Sequence, residues 1–169
     1  MPMEGKILYE LNRLLKNTDK FALKPIPKDI IENILKAGTY APYGLNPPQP
    51  WKFIAITGDK ALSISKKLDK KANTIILCFC AKVKEEYNQL TQYGSTSAAI
   101  YNMRIQAISY GIVSEVIFQL NENFKDYIYN EFNINPQEYE FFAILLLGYP
   151  AIKIEPKLPN REAIIWRIE

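Results

Sequence analysis

The 169-residue sequence has no histidine. That absence removes Ser-His-Asp and Cys-His nucleophile systems, histidine zinc sites and histidine proton shuttles. Cysteine is scarce as well: Cys78 and Cys80, both in "ILCFC", are the only two. In a strand they point to one face. Neighbours so close in an extended chain rarely make a good disulfide, and a metal would need further ligands. They read as buried strand thiols, and no metal is expected. No run approaches the roughly 18 apolar residues of a membrane span, and "AILLLG" is short and sharply punctuated. "MPMEGKILYELNRLLKN" interleaves acids and bases with leucines and lacks the pattern of a signal peptide, so a cytoplasmic location without a membrane partner is expected. The net charge is +3 and the pI about 8.7, but the lysines are scattered, so no nucleic-acid partner is expected. Any hard chemistry would belong to a bound cofactor.

What is present is ordinary globular material, 48% hydrophobic and 23% charged, enough for a single domain over residues 1–169. Ile7, Leu8, Leu11, Leu14 and Leu15 recur at helical spacing. Pro27 opens a second helix with Ile30, Ile31, Ile34 and Leu35 on one stripe. "WKFIAIT" reads as a strand, "GDKALSISKKLDKK" as a short helix and "NTIILCFC" as a strand buried on both faces. "AKVKEEYNQLTQYG" reads as polar connection. A helix is expected from Ser95 to Tyr110, stopped by Gly111, with small residues Ser95, Ser97, Ala98 and Ala99 in its first turns. Those suit either tight helix packing or a flat ligand. "GIVSEVIFQL" is ambiguous between strand and helix start. "NENFKDYIYNEF" is a helix, and "EYEFFAILLLGYP" is a strand ending at Gly148-Tyr149-Pro150. A proline turn and a short helix close the chain. Without regular βαβ alternation, the fold class is α+β: a small, mainly antiparallel or mixed sheet flanked by helices.

Between the second helix and the first long strand stands "APYGLNPPQPW", Ala41 to Trp51. Four prolines exclude a helix interior or a central strand and stiffen the loop. Taken alone, it is either a tight turn whose amides satisfy local backbone or a rigid reader of a ligand.

"ILKAGTYAPYGLNPPQPWKFIAI" resembles the signature of the nitroreductase family, the flavin-dependent oxidoreductases. "AAIYNMRIQAISYGI" resembles that family's central helix, "FFAILLLGYPA" its strand ending in Gly-Tyr-Pro, and "KLPNREAII" its closing segment. The resemblance spans most of the chain and implies a dimeric nitroreductase-like fold, with the terminal segments, including Trp166, wrapping across the partner. It implies an FMN site in which Pro42, Tyr43, Gly44, Asn46 and Gln49 meet the ring, with Trp51 as packing anchor and Gly148 nearby. The phosphate would fall to Lys16, Asn17, Lys157 and Arg161.

The chain departs from the family pattern in several places. Leu15, Lys16 and Asn17 stand where the family carries Arg-Arg-Ser or Arg-His-Ser, and lysine is a point charge where arginine is a fork. Tyr43 replaces a usual serine, and "NPPQPW" carries one extra proline. The implied function is an FMN-dependent oxidoreductase. It passes electrons from NADH or NADPH to a flat, electron-poor acceptor by a ping-pong mechanism, with no residue required as acid or base. The alternative is a non-catalytic flavin- or nucleotide-binding protein on the same fold.

Overall fold

The computed structural model describes residues 5–15, 18, 20–44 and 49–153. Their centre is the strand β5 (Tyr139–Pro150). It pairs with β3 (Thr74–Ala81), with β4 (Val113–Ile117) and, at its last two residues, with β1 (Phe21–Ala22). The strand β2 (Trp51–Thr57) adds to β3. Every pairing is antiparallel, and the strand order is β1-β5-β3-β2 with β4 also on β5.

Helices cover both faces, which is why "TIILCFC" is apolar without alternation: Thr74 through Cys80 are all buried. On one face lie α2 (Lys28–Gly38) and α4 (Glu86–Ser109), packing Ile31, Ile34, Ile100 and Met103 against Ile76, Cys78, Leu145 and Leu147. On the other lie α3 (Gly58–Lys66) and α5 (Glu122–Phe132), with Ile64, Phe124 and Ile128 against Ile75, Phe79 and Leu146. Pro27 is the N-cap of α2, as expected of a residue whose φ is preset and whose missing donor costs nothing there. Asn121 caps α5, accepting from the Phe124 N–H at 2.8 Å. The first helix, α1 (Gly5–Leu14), lies against α4. No helix among the described residues is long and apolar enough to cross a membrane.

Two readings change. The helix expected from Ser95 begins at Glu86 and absorbs most of the supposed connection. Its first turns bury polar rather than apolar side chains, Gln92 and Thr96 among them, so apolar periodicity does not register them. The ambiguous "GIVSEVIFQL" contains β4, fixed by pairing to β5 after Gly111 turns the chain at φ +70°. The last strand ends at Pro150, within the Gly-Tyr-Pro expected to close it, and Phe21 pairs with it there. The closing segment lies outside the described residues.

Within β5 the pairing slips by one residue: Cys78 faces Ala143 but Phe79 faces Phe141. Phe142 is the extra residue of a β-bulge. Phe141 joins the core under α5, whereas Phe142 and Ala143 both turn to the α4 side.

Gly148 has a packing reason. A Cβ there would lie 2.8 Å from the Phe21 Cβ and 2.9 Å from its Cδ1. The Phe21 Cβ cannot move without β1. Gly148→Ala should therefore destabilise the protein by about 1–3 kcal/mol in urea unfolding, with Phe21→Ala relieving part of the clash. A neutral G148A would mean that β1 does not seat there.

Both thiols are buried and unbridged. Burial pushes Cys78 upward. Cys80 is pushed up to about 11 by burial, against hydrogen bonds from Thr96 and Gln89 and with the Glu140 carboxylate adding to the rise. The folded state holds the proton more tightly than the unfolded one. Stability is therefore complete below pH 9 and falls as pH rises from 9.0 toward 11. A thiol reagent at pH 8 should label neither cysteine until denaturant is added; prompt labelling of the native protein would contradict this burial.

Candidate functional site

The stiff loop leaves α2 directly. The Thr39 hydroxyl donates to the Lys36 carbonyl at 2.7 Å, and the Ala41 N–H donates to the Gly38 carbonyl at 3.2 Å. Gly38 lets the two helices approach: a Cβ there would sit 3.0 Å from the Met103 Cγ. Ala41 is buried with Trp51 and Ala99. Tyr43 sets its ring edge-on to Trp51, with centroids 5.7 Å apart and planes at 86°, and Trp51 stacks in turn on Phe53. Trp51 is thus the anchor that the sequence suggested, and Tyr43 rests on it. At the far side of the loop Gln49 is exposed and holds φ +56°, a left-handed conformation uncommon outside glycine. Pro50 is buried and its carbonyl accepts the Ala81 N–H, tying the loop to the end of β3.

Opposite the loop runs the first half of α4. Pro42, Tyr43 and Gly44 form one wall of a cleft of about 490 Å³, and Thr91, Gly94, Ser95 and Ala98 form the other. The Ser95 hydroxyl donates to the Thr91 carbonyl at 2.9 Å, so it lies along its own helix. Gly94 is informative. Glycine costs a helix interior about 0.8–1 kcal/mol relative to alanine. A Cβ at Gly94 would meet nothing within 4 Å among the described residues, so no packing there requires the glycine. What it does is keep the α4 wall of the cleft flat.

The sheet side of this helix half is held by polar and aromatic contacts. The Tyr93 hydroxyl donates to the Glu140 carboxylate, and its ring stacks on Phe142 at 5.5 Å. The bond to Glu140, then burial, push the Tyr93 phenol up to about 12. Phe142 is the bulge residue, so the bulge aims it at Tyr93. The Gln89 side chain donates to the Ala81 carbonyl at 3.2 Å and accepts the Val83 N–H at 2.9 Å, pinning the first turn of α4 to the end of β3.

The structure brings Pro42, Tyr43 and Gly44 against the small-residue stretch of α4. Gln49 stands on the same loop. Gly148 is elsewhere. Trp51 pairs with Cys80 and Cys80 with Glu140, at the opposite end of β5 from Gly148. At about 3.3 Å per residue that is on the order of 20–25 Å. Lys16, Asn17, Asn46, Lys157 and Arg161 lie outside the described residues. Thr91 and Gly94 escaped the sequence reading because they fell in the supposed connection; the signal available was a glycine inside what proves to be helix.

The Nitroreductase family model matches residues 20–78, which include the stiff loop and β2. Among curated proteins nothing matches. Among solved structures, the chain is similar to a protein of Bacteroides thetaiotaomicron described as an NADH dehydrogenase/NAD(P)H nitroreductase. The TM-score is 0.76 at 22% identity, covering 94% of this chain and 95% of that one. It is similar to a nitroreductase with bound FMN from Bacteroides fragilis, at 0.72 and 21%, covering 96% and 100%. It is also similar to a nitroreductase family protein of Clostridium difficile, at 0.72 and 25%, covering 95% and 90%. The fold of the chain is the nitroreductase fold.

If Gly94 serves the cleft and not the packing, Gly94→Ala should raise stability by about 0.5–1 kcal/mol in urea or thermal unfolding. A destabilised G94A would reveal a packing role and remove the argument for a deliberately flat wall.

Proposed function

From a nitroreductase fold and a family match over residues 20–78, we propose that the chain is an FMN-dependent oxidoreductase. Its donor is NADH or NADPH, and its acceptor is a flat, electron-poor molecule: a nitroaromatic, a quinone or free flavin. The observation that carries this reading is the cleft between the stiff loop and the small-residue half of α4.

The residues present fit a flat, largely apolar ring. Ala98, Ser95 and Gly94 offer a wall without bulk, and Pro42 and Gly44 offer one without flexibility. Bound FMN would supply the hydride chemistry, taking electrons from the nicotinamide and returning them to the acceptor in ping-pong order. The chain's own part is to bind and orient. Tyr43, braced on Trp51, lines the cleft beside Pro42 and Gly44. Asn46 and Gln49 are assigned to the polar edge of the ring, where a loop stiffened by proline holds amides at little entropic cost. Lys16, Asn17, Lys157 and Arg161 are assigned to the phosphate, with Gly148 close to that end. No side chain is asked to act as a proton donor or acceptor.

Among the described residues, the loop residues and Gly148 stand at opposite ends of the sheet. A homodimer that lays one copy's loop near the other copy's β1–β4 end would reunite them, and the exposed Ile7, Tyr40 and Tyr101 on the helical face give it apolar surface to bury.

The test is the visible spectrum of the purified protein after incubation with FMN and gel filtration, then anaerobic addition of NADH or NADPH. A retained flavin spectrum that bleaches is the expected result. Retained flavin that neither nucleotide bleaches would instead favour a binding protein on this fold. A protein that retains no FMN would overturn the proposal.

A further inference from the structure

Resting on the flavin reading above, we propose that Tyr93 is a positioning residue of the cleft. Through its bond to Glu140 and its stack on Phe142, it sets where the α4 wall stands against the stiff loop.

The first half of α4 has two working faces. Thr91, Gly94, Ser95 and Ala98 line the cleft. At about 3.6 residues per turn, Gln89, Tyr93 and Thr96 fall on the other side of the helix, toward the sheet. The cleft face does little to fix its own height. A Cβ at Gly94 would meet nothing within 4 Å among the described residues, and the Ser95 hydroxyl is turned back to the Thr91 carbonyl. The gap is also sensitive. A Cβ at Gly44 would lie 3.4 Å from the Thr91 Cγ2, so the two walls already come close there and a small displacement of α4 changes their separation.

The support behind the wall differs from that of the rest of the helix. The apolar cluster on this face of the sheet takes up Ile100, Met103 and Ala107, all farther along α4. Buried side chains in the first half include Gln92, Ser95 and Thr96. Apolar packing is non-directional, whereas a hydrogen bond fixes both a distance and a direction. Gln89 pins the first turn to the end of β3. One turn on, the Tyr93 hydroxyl donates to the Glu140 carboxylate and ties the helix to β5 with a charge-assisted bond.

The strand β5 is shaped for this contact. Glu140 and Phe142 both meet Tyr93, while Phe141 between them enters the core under α5. Phe142 is the extra residue of the bulge, a device that re-aims side chains. Its ring stacks on Tyr93 with the planes at 22°, and Phe118 closes on it edge-on at 83°. The bond sets the distance of Tyr93 from β5, and the stack sets the plane of its ring. Gly94 follows Tyr93 directly, and Ser95 and Ala98 come within the next turn and a half, so the wall goes where Tyr93 is held.

Four single variants would be compared with wild type. Tyr93→Phe removes the hydroxyl and keeps the ring, Glu140→Ala removes the acceptor, and Glu140→Gln keeps an accepting carbonyl. Asn121→Ala, which removes the α5 cap on the opposite face of the sheet, controls for lost stability alone. Each would be titrated with FMN and with riboflavin by fluorescence well below its melting temperature, and followed by amide hydrogen exchange without ligand. Y93F and E140A should each weaken both flavins about fivefold or more, as expected of a displaced wall. The double variant should lose little beyond either change alone. E140Q should stay within about twofold of wild type. Exchange in Y93F should quicken over residues 91–98 and not over residues 103–107, and N121A should change neither flavin affinity nor exchange in α4. Unchanged flavin affinity in Y93F, an equal loss in N121A, or losses that add in the double variant would overturn the assignment while the flavin reading stood. If wild type bound neither flavin, the flavin reading would fail and exchange alone would decide. Quickening confined to residues 91–98 would then keep Tyr93 as the brace of this wall, and its absence would overturn that role. Should Y93F not fold by circular dichroism, E140A against E140Q decides: equal flavin affinities overturn the proposal.

Discussion

The ladder between β3 and β5 is covered on both faces, so its peptide groups have no water to fall back on and must find one another. That requirement makes both strands straight apolar runs and forces a helical layer onto each side. It also makes β5 long: at twelve residues it has length enough for β3 along its body and for β4 and β1 near its end. The length creates two separate ends. One carries Trp51 and the stiff loop through β2, and the other carries Gly148, β1 and the start of β4.

The helix α4 connects these ends. Its 24 residues span about 36 Å. It presents two different faces along the way: Gly94, Ser95 and Ala98 to the loop, then Arg104 to Ser114. Neither part needs strong apolar amphipathicity. Polar contacts from Gln89 and Tyr93 hold the first half, and the Met103 and Ala107 side chains hold the second. A helix anchored in two ways can keep one wall of a cleft flat without filling it.

Much of this was legible in the residues. The α2 start at Pro27, the strands β2, β3 and β5, and the helices α3 and α5 all follow from periodicity and breakers. The stiff loop and the small residues near Ala98 each stood out in the sequence, but that they face one another across a cleft is visible only in the fold. The rest was hidden for specific reasons. The start of α4 buries Gln92 and Thr96, which look like surface when read in sequence. The strand β4 carries Ser114 and Glu115 inside a short run, and only its pairing to β5 decides it. Nothing local in the sequence reveals that the Arg104 nitrogen meets a serine ten residues away on another element.

The bulge at Phe142 gives β5 a discontinuity of phase. Residues before it and after it alternate on opposite parity, and each half is correct only relative to its own core. The strand therefore has a reading frame. Deleting Phe142 would join the halves in one phase with Phe141 still in the aromatic core under α5 and Ala143 to Leu147 still on their present sides, and what would be lost is the Phe142 ring that stacks on Tyr93. Away from the bulge, a change of two residues in the strand keeps that frame, and a change of one does not. The bulge is therefore the one place where the strand can lose a single residue and leave every other side chain facing its own core.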